Sequence, residues 1–156
     1  MSEIVIRHVE TTDAQALHHL YSQTPVYRDT LQLPLPSVES WQKRLANPEP
    51  GKHNLAAIID GQLAGQLVVM LNQRVRRRHV ATFGIGVDPR YHGKGVGSRL
   101  MQAMLDLCDN WAAIALYRKF GFEIEGTSRA YAMRGGVLVD AYHMARLRSG
   151  QPRADA

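Results

Sequence analysis

The chain has 156 residues, 45% hydrophobic and 21% charged, and 19 Lys and Arg against 14 Asp and Glu leave a net charge of +5. That length suits one domain around one core, expected over residues 1–147 with a polar tail at 148–156. No stretch approaches the ~18 unbroken apolar residues of a membrane span, and Met1-Ser2-Glu3-Ile4 lacks the basic start and apolar run of a secretion signal, so a cytoplasmic protein is expected.

Ile4 to His8 alternates and reads as a first strand. Asp13 is placed to cap a helix carrying Ala16, Leu17 and Leu20 on one face and ending before Pro25. From Tyr27 to Pro36 the prolines bias the chain towards an extended, apolar loop holding Leu31, Leu33 and Leu35. Ser37 caps a second helix through Trp41 and Leu45, which stops at Asn47-Pro48-Glu49-Pro50-Gly51. Asn54 to Ile59 and Gln62 to Leu71 are strands joined by Asp60-Gly61, a two-residue hairpin signal. Val80 to Val87 is a third strand of this group. Arg74, Arg76, Arg77 and Arg78 before it read as a solvated tip, because no aromatic residues interleave for base stacking.

Val96, Leu100, Met101, Met104, Leu105 and Cys108 recur at helical spacing and predict a long helix to about Trp111. The single cysteine, Cys108, lies on its apolar face and reads as a packing residue. Ala113 to Lys119 reads as a short helix closed by Gly121. Phe122 to Met133 and Val137 to Leu147 are strands flanking the turn Arg134-Gly135-Gly136.

The loop Arg90-Tyr91-His92-Gly93-Lys94-Gly95-Val96-Gly97 sits between a strand and a helix. In that position, backbone N–H groups and the positive helix end are offered to a phosphate. Gly93, Gly95 and Gly97 remove side chains that would block a pyrophosphate, while Arg90 and Lys94 add charge. The same glycines also suit a plain strand-to-helix turn. The string is neither GxxxxGK[ST] nor GxGxxG.

The string Val87-Asp88-Pro89-Arg90-Tyr91-His92-Gly93-Lys94-Gly95-Val96-Gly97 resembles the acetyl-CoA loop of the GCN5-related N-acetyltransferases (GNAT), with the RxxGxG core at Arg90, Gly93 and Gly95. Ala113-Ile114-Ala115-Leu116-Tyr117-Arg118-Lys119-Phe120-Gly121-Phe122 is similar to the family's AxxLYxxxGF segment. The N-terminal half and Val139-Asp140-Ala141-Tyr142-His143-Met144-Ala145 look most like bacterial members that acetylate free L-amino acids. The resemblance implies an α/β (α+β) GNAT fold: a mixed, mostly antiparallel central sheet with helices on both faces. It implies that Ile85, Gly86 and Val87 pair with the pantetheine arm of acetyl-CoA. Arg90, His92, Gly93, Lys94, Gly95, Val96, Gly97 and Ser98 would hold the pyrophosphate, with Asn110 a further coenzyme contact. Tyr117 would protonate or hydrogen-bond the departing thiolate, modest acid help that a phenol can supply.

The implied reaction is direct attack of a neutral amine on the thioester. The general base is open among His79, Glu125 and Asp140, since Val80 to Val87 carries no Glu or Asp. Tyr27, Leu31, Leu33 and Leu35, with Asp140 on the final hairpin, are expected around an acceptor with an apolar side chain, although core packing would also account for the leucines. His18 and His19 have no second cluster of ligand residues near them, so no metal is expected. Other readings are acetylation of a protein N-terminus or lysine, and an acyl-CoA-binding module without turnover. No nucleic-acid motif accompanies the positive charge. An open sheet edge and an apolar last hairpin leave a homodimer possible.

One element of the family pattern is missing. Cys108-Asp109-Asn110-Trp111 runs directly into Ala112-Ala113-Ile114, where the family has another strand. A helix from Gly93 to Trp111 runs about 28 Å away from the phosphate loop, and six further residues return at most about 21 Å even when extended. Three accounts compete: residues absent from the recorded sequence, which is the preferred expectation, a true deletion, or a strand supplied by another chain.

Overall fold

The computed structural model describes residues 2–28, 30, 32, 34–77, 80–111, 121, 123–134 and 136–145. Strand β1 (Val5–His8) is followed by a 3₁₀ turn and helices α1 (Ala14–Ser22), α2 (Thr24–Arg28) and α3 (Val38–Ala46). Strands β2 (Lys52–Ile59), β3 (Gln62–Leu71) and β4 (Ala81–Val87) come next, then helix α4 (Val96–Trp111) and strands β5 (Glu123–Arg134) and β6 (Val137–Ala145). The first four strands form a sheet in the order β1-β2-β3-β4, while β5 and β6 form a separate two-stranded sheet. Every strand pair among the described residues is antiparallel.

Helices lie on both faces of the four-stranded sheet, as expected. On one face α4 buries Val96, Leu100, Met104 and Cys108 against Leu67, Val69 and neighbouring strand residues. Cys108 is therefore a packing residue, as its place in the helical pattern predicts. On the other face α1 to α3 bury Leu17, Leu20, Tyr21, Val26 and Trp41. Asp60 and Gly61 turn the β2–β3 hairpin with φ of 48° and 74°, the left-handed pair that a tight two-residue turn requires. Residues 73–77 are exposed, as a solvated tip should be.

Two local expectations are corrected. Asp13 does not cap α1 with its side chain; its carboxylate accepts the Glu10 N–H at 2.7 Å and two bonds from Arg7 at 2.7 and 2.8 Å. The ion pair outcompetes the cap because it supplies a full opposite charge, and chiefly the Arg7 hydrogen bonds lower the Asp13 pKa. Tyr27, expected at the start of an extended loop, lies instead in α2, whose first turn holds Pro25, where a missing N–H costs no helical bond; α1 itself ends at Ser22, before Pro25, as expected. Ser37 does cap α3, its hydroxyl accepting the Ser40 N–H at 3.1 Å. None of the described helices is long and apolar enough to cross a membrane.

Leu100 is fully buried between α4 and the sheet, so Leu100→Ala should lower unfolding free energy by about 2–5 kcal/mol. Urea unfolding followed by far-UV circular dichroism checks this; a loss under about 1 kcal/mol would contradict the packing.

Candidate active site

Strand β4 has different chemistry on its two faces. Phe83, Ile85 and Val87 pack towards the α4 core. A Cβ on Gly86 would lie 3.0 Å from the Tyr21 hydroxyl and 3.1 Å from Val26, whereas one on Gly84 would meet nothing within 4 Å. Gly86 thus lets α1 and α2 press onto the strand, and Gly84 leaves open space beside it.

The backbone alternates as well. Asp88 N–H donates to the Ala64 carbonyl at 2.9 Å, and Asn72 N–H to the Val80 carbonyl at 3.0 Å, bracketing the register Gly65 to Val87. Antiparallel alternation then directs the polar groups of Gly86 at β3 and those of Ile85 and Val87 at the outer edge. No described strand pairs with that edge.

Past β4 the chain turns on Asp88, which is 1% exposed. Its carboxylate accepts the Arg90 N–H at 2.9 Å, Arg90 Nε at 3.1 and 3.2 Å, Arg90 Nη2 at 2.8 Å and Gln23 Nε2 at 3.2 Å. Burial alone would raise this carboxyl, but the Arg90 and Gln23 bonds outweigh it and hold the pKa down, to about 2. The Arg90 guanidinium is accordingly committed to Asp88, while Lys94 Nζ lies 5.1 Å from the centre of the Tyr91 ring. His92 Nε2 hydrogen-bonds the Val87 carbonyl at 3.1 Å.

Gly93 and Gly95 have φ of 73° and 85°, and open space surrounds a Cβ built on either. They lead into α4, whose first turn has N–H groups without intrahelical acceptors. A pyrophosphate fits this cradle: left-handed glycines leave it open, and the helix end and Lys94 are positive. An amide-bearing arm fits the Ile85–Val87 edge. The residues present therefore suit acetyl-CoA.

Beside β4, on the α1–α3 side, lies a cavity of about 960 Å³. Its walls come from α1 to α3, strands β2 to β4 and the β5–β6 hairpin. Gln66, 3% exposed, donates to Asn54 Oδ1 at 3.2 Å among the lining residues. Tyr21 and Trp41 stack with ring centres 5.2 Å apart. Burial raises the Tyr21 pKa well above the usual phenol value, so that hydroxyl stays protonated. Trp41 Nε1 is buried without a hydrogen-bond partner among the described residues, and an unpaired buried donor costs about 1–3 kcal/mol.

The structure brings Ile85, Gly86, Val87, Arg90 and the stretch from His92 to Ser98 together where β4 meets α4. Asn110 is not brought there: it lies in the last turn of α4, about 21 Å along the axis from Val96. Of the acceptor residues, Asp140 lines the cavity, but Tyr27 sits in α2 and does not. Leu35 is 94% exposed and also outside the lining. Glu125 is exposed on β5, away from the cavity. Leu31, Leu33, His79 and Tyr117 lie outside the described residues. No group of three or more His, Cys, Asp or Glu gathers among the described residues.

The profile of the acetyltransferase (GNAT) family matches residues 14–122. The chain belongs to the GNAT family. It is 49% identical over 163 residues to the L-amino acid N-acetyltransferase AaaT of Escherichia coli, covering 95% of this chain and all of that protein. It is 34% identical to the N-alpha-acetyltransferase RimI of Mycobacterium tuberculosis, over 96% of this chain and 95% of that one. The fold matches the structure of yncA from Salmonella typhimurium with its cofactor acetyl-CoA, at a TM-score of 0.77 and 16% identity over 98% of each chain. The GNAT protein described here is thus an acetyl-CoA-dependent N-acetyltransferase.

The alignment with the E. coli relative is longer than the 156 residues of this GNAT chain, so the relative has positions without counterpart here. The sequence itself is continuous from Trp111 to Ala112. The relative's extra positions agree with the strand that the family pattern has and this sequence lacks.

Sequence reasoning missed Asp88, the Tyr21–Trp41 stack, the Asn54–Gln66 pair and the cavity-facing Arg28 and Arg44. Only Asp88 carried a local signal, an Asp before Pro with a donor two residues on; the others meet across the fold.

Asp88 has its pKa lowered on folding, so its contribution is complete above about pH 4 and lost as pH falls through about 2. Asp88→Asn should cost about 2 kcal/mol at neutral pH, with the gap to the parent narrowing to about half by about pH 3. Urea unfolding at both pH values reads it; a pH-independent gap would contradict the ionic origin.

Proposed function

We propose that this enzyme acetylates the amine of a free L-amino acid by direct attack, with no covalent enzyme intermediate. The observation carrying this reading is the cavity beside β4, which adjoins the edge groups of Ile85 and is of a size for a small acceptor. The 49% identity to an L-amino acid N-acetyltransferase across the whole of that relative supports it.

Amides of the His92–Ser98 stretch hold the pyrophosphate, other than those of His92 and Lys94, which donate to the Pro89 and Tyr91 carbonyls. The Lys94 side chain adds charge. The outer-edge groups of Ile85 and the Val87 N–H take the pantetheine arm, the Val87 carbonyl being bonded to His92. Bound there, acetyl-CoA supplies a thioester whose carbonyl carbon accepts the amine and whose sulfur leaves as a thiolate. Tyr117 gives its phenolic proton to that sulfur, a role resting on the AxxLYxxxGF match. Asp140 is the one carboxylate among the described cavity residues and serves as the base for the amine. Its Oδ1 accepts the Ala130 N–H at 2.9 Å, which fixes the carboxylate while leaving Oδ2 for the proton.

Thiol release from acetyl-CoA across the twenty L-amino acids, a peptide with a free N-terminus and a lysine peptide tests the acceptor. Turnover confined to the free amino acids is expected, and turnover confined to the peptides would overturn the reading. Gly95→Ala should weaken acetyl-CoA binding by about tenfold, because a Cβ at a positive φ costs about 1–2 kcal/mol; calorimetric titration measures it. Tyr117→Phe should lower kcat by about 10- to 100-fold with the acetyl-CoA Kd unchanged, and an unchanged kcat would remove Tyr117 from the chemistry.

A further inference from the structure

The cavity's charged groups are sorted by wall. Arg28 closes α2 and Arg44 lies in the last turn of α3, both lining the cavity from the helical side. Asp140 lines it from the hairpin. Lys52, also in the lining, is already paired with Glu49 at 3.0 Å. Arg28 and Arg44 have no acidic partner among the described residues. Arg44 is nonetheless held in place: its guanidinium lies 5.0 Å from the Trp41 ring centre, and its Nη1 donates to Gln32 Oε1 at 3.2 Å. The same indole carries the buried Nε1–H that lacks an acceptor among the described residues. Two unneutralised guanidiniums and an unfilled indole donor thus belong to one wall, and a carboxylate belongs to the other.

We infer that Arg44, positioned by Trp41, and Arg28 bind the acceptor's carboxylate, so that the acceptor is taken as a zwitterion with its amine turned towards Asp140. This deepens the amino-acid reading above and rests on it. A guanidinium suits the task because its planar fork matches both carboxylate oxygens. Stacking on Trp41 limits the rotamer freedom lost on binding. The clamp selects against amines lacking a carboxylate, since those would leave both guanidiniums unpaired.

The test compares L-phenylalanine with L-phenylalaninamide, which differ at the carboxyl alone, in steady-state acetylation and in calorimetric binding to the CoA-loaded protein. The parent should bind the acid at least tenfold more tightly than the amide. Arg44→Gln and Arg28→Gln should each raise KM for the acid about tenfold or more, leaving kcat within about threefold and KM for the amide unchanged. Arg44→Lys should recover part of the loss. Thermal melts of each variant separate misfolding from lost binding, and Arg28 is exposed enough that its replacement should leave the melt unaltered. Equal affinity for acid and amide, parallel losses on both, or binding of neither would overturn the clamp. If acetyl-CoA binds and a peptide N-terminus is acetylated while neither phenylalanine derivative binds, the amino-acid reading fails with it. If the free acid is turned over and the arginine variants match the parent, only the clamp fails.

Discussion

The end of the molecule proposed to hold the coenzyme depends on a buried carboxylate. Asp88 ends β4, and its oxygens gather the backbone and guanidinium of Arg90 together with the amide of Gln23 from the α1–α2 junction. The strand, the turn into the glycine loop and the helical layer on the opposite face are therefore joined at one charge. Arg90 remains 61% exposed on its side chain while Asp88 is buried, so solvent bears part of the desolvation that an enclosed pair would suffer. The glycine loop can be permissive because what precedes it is fixed: Gly93 and Gly95 supply left-handed conformations, and Asp88 sets the direction in which they are spent.

The faces of β4 divide the labour of the site. Alternation turns Phe83, Ile85 and Val87 into the α4 core and leaves Gly84 and Gly86 on the other face. Bulky residues at those two positions would fill the cavity or drive Tyr21 and Val26 from the strand. The backbone alternation is independent of the side-chain one, and it leaves Ile85 and Val87 with outward polar groups. A single seven-residue strand thus anchors the core, borders the acceptor cavity and offers an edge for a coenzyme arm.

The parts legible in the sequence were those set by short-range rules. The period of Val96, Leu100, Met104 and Cys108 predicted α4, Asp60-Gly61 predicted a hairpin, and Ser37 predicted a cap. The family strings placed the glycine loop at the junction where the structure has it. What was not legible depended on partners far apart in the chain. Asp13 looked like a cap because Arg7 lies on a strand whose pairing cannot be read locally. Leu35 looked like pocket lining because apolarity in a loop does not tell which way the loop faces. Asn110 is expected as a coenzyme contact from the family resemblance alone; the continuous helix puts it in the last turn of α4. Arg28 and Arg44 carry no local sign of the cavity they line, because α2 and α3 meet the hairpin only in the fold.

The junction Trp111–Ala112, where the family pattern has a further strand, bears unequally on the two halves of the proposed site. The acceptor cavity is walled by α1 to α3, floored by β2 to β4 and closed by a hairpin whose two strands bond to each other. None of those contacts requires a further strand beside β4. The coenzyme edge is different, because the polar groups of Ile85 and Val87 face the side where the family places that strand. No described strand covers the edge on which the pantetheine arm is expected to pair. The pyrophosphate cradle proposed here, built from Asp88, the glycines and the first turn of α4, does not depend on a strand at that edge. The uncovered edge of β4 therefore bears on how the thioester is aimed, more than on whether coenzyme or acceptor is held.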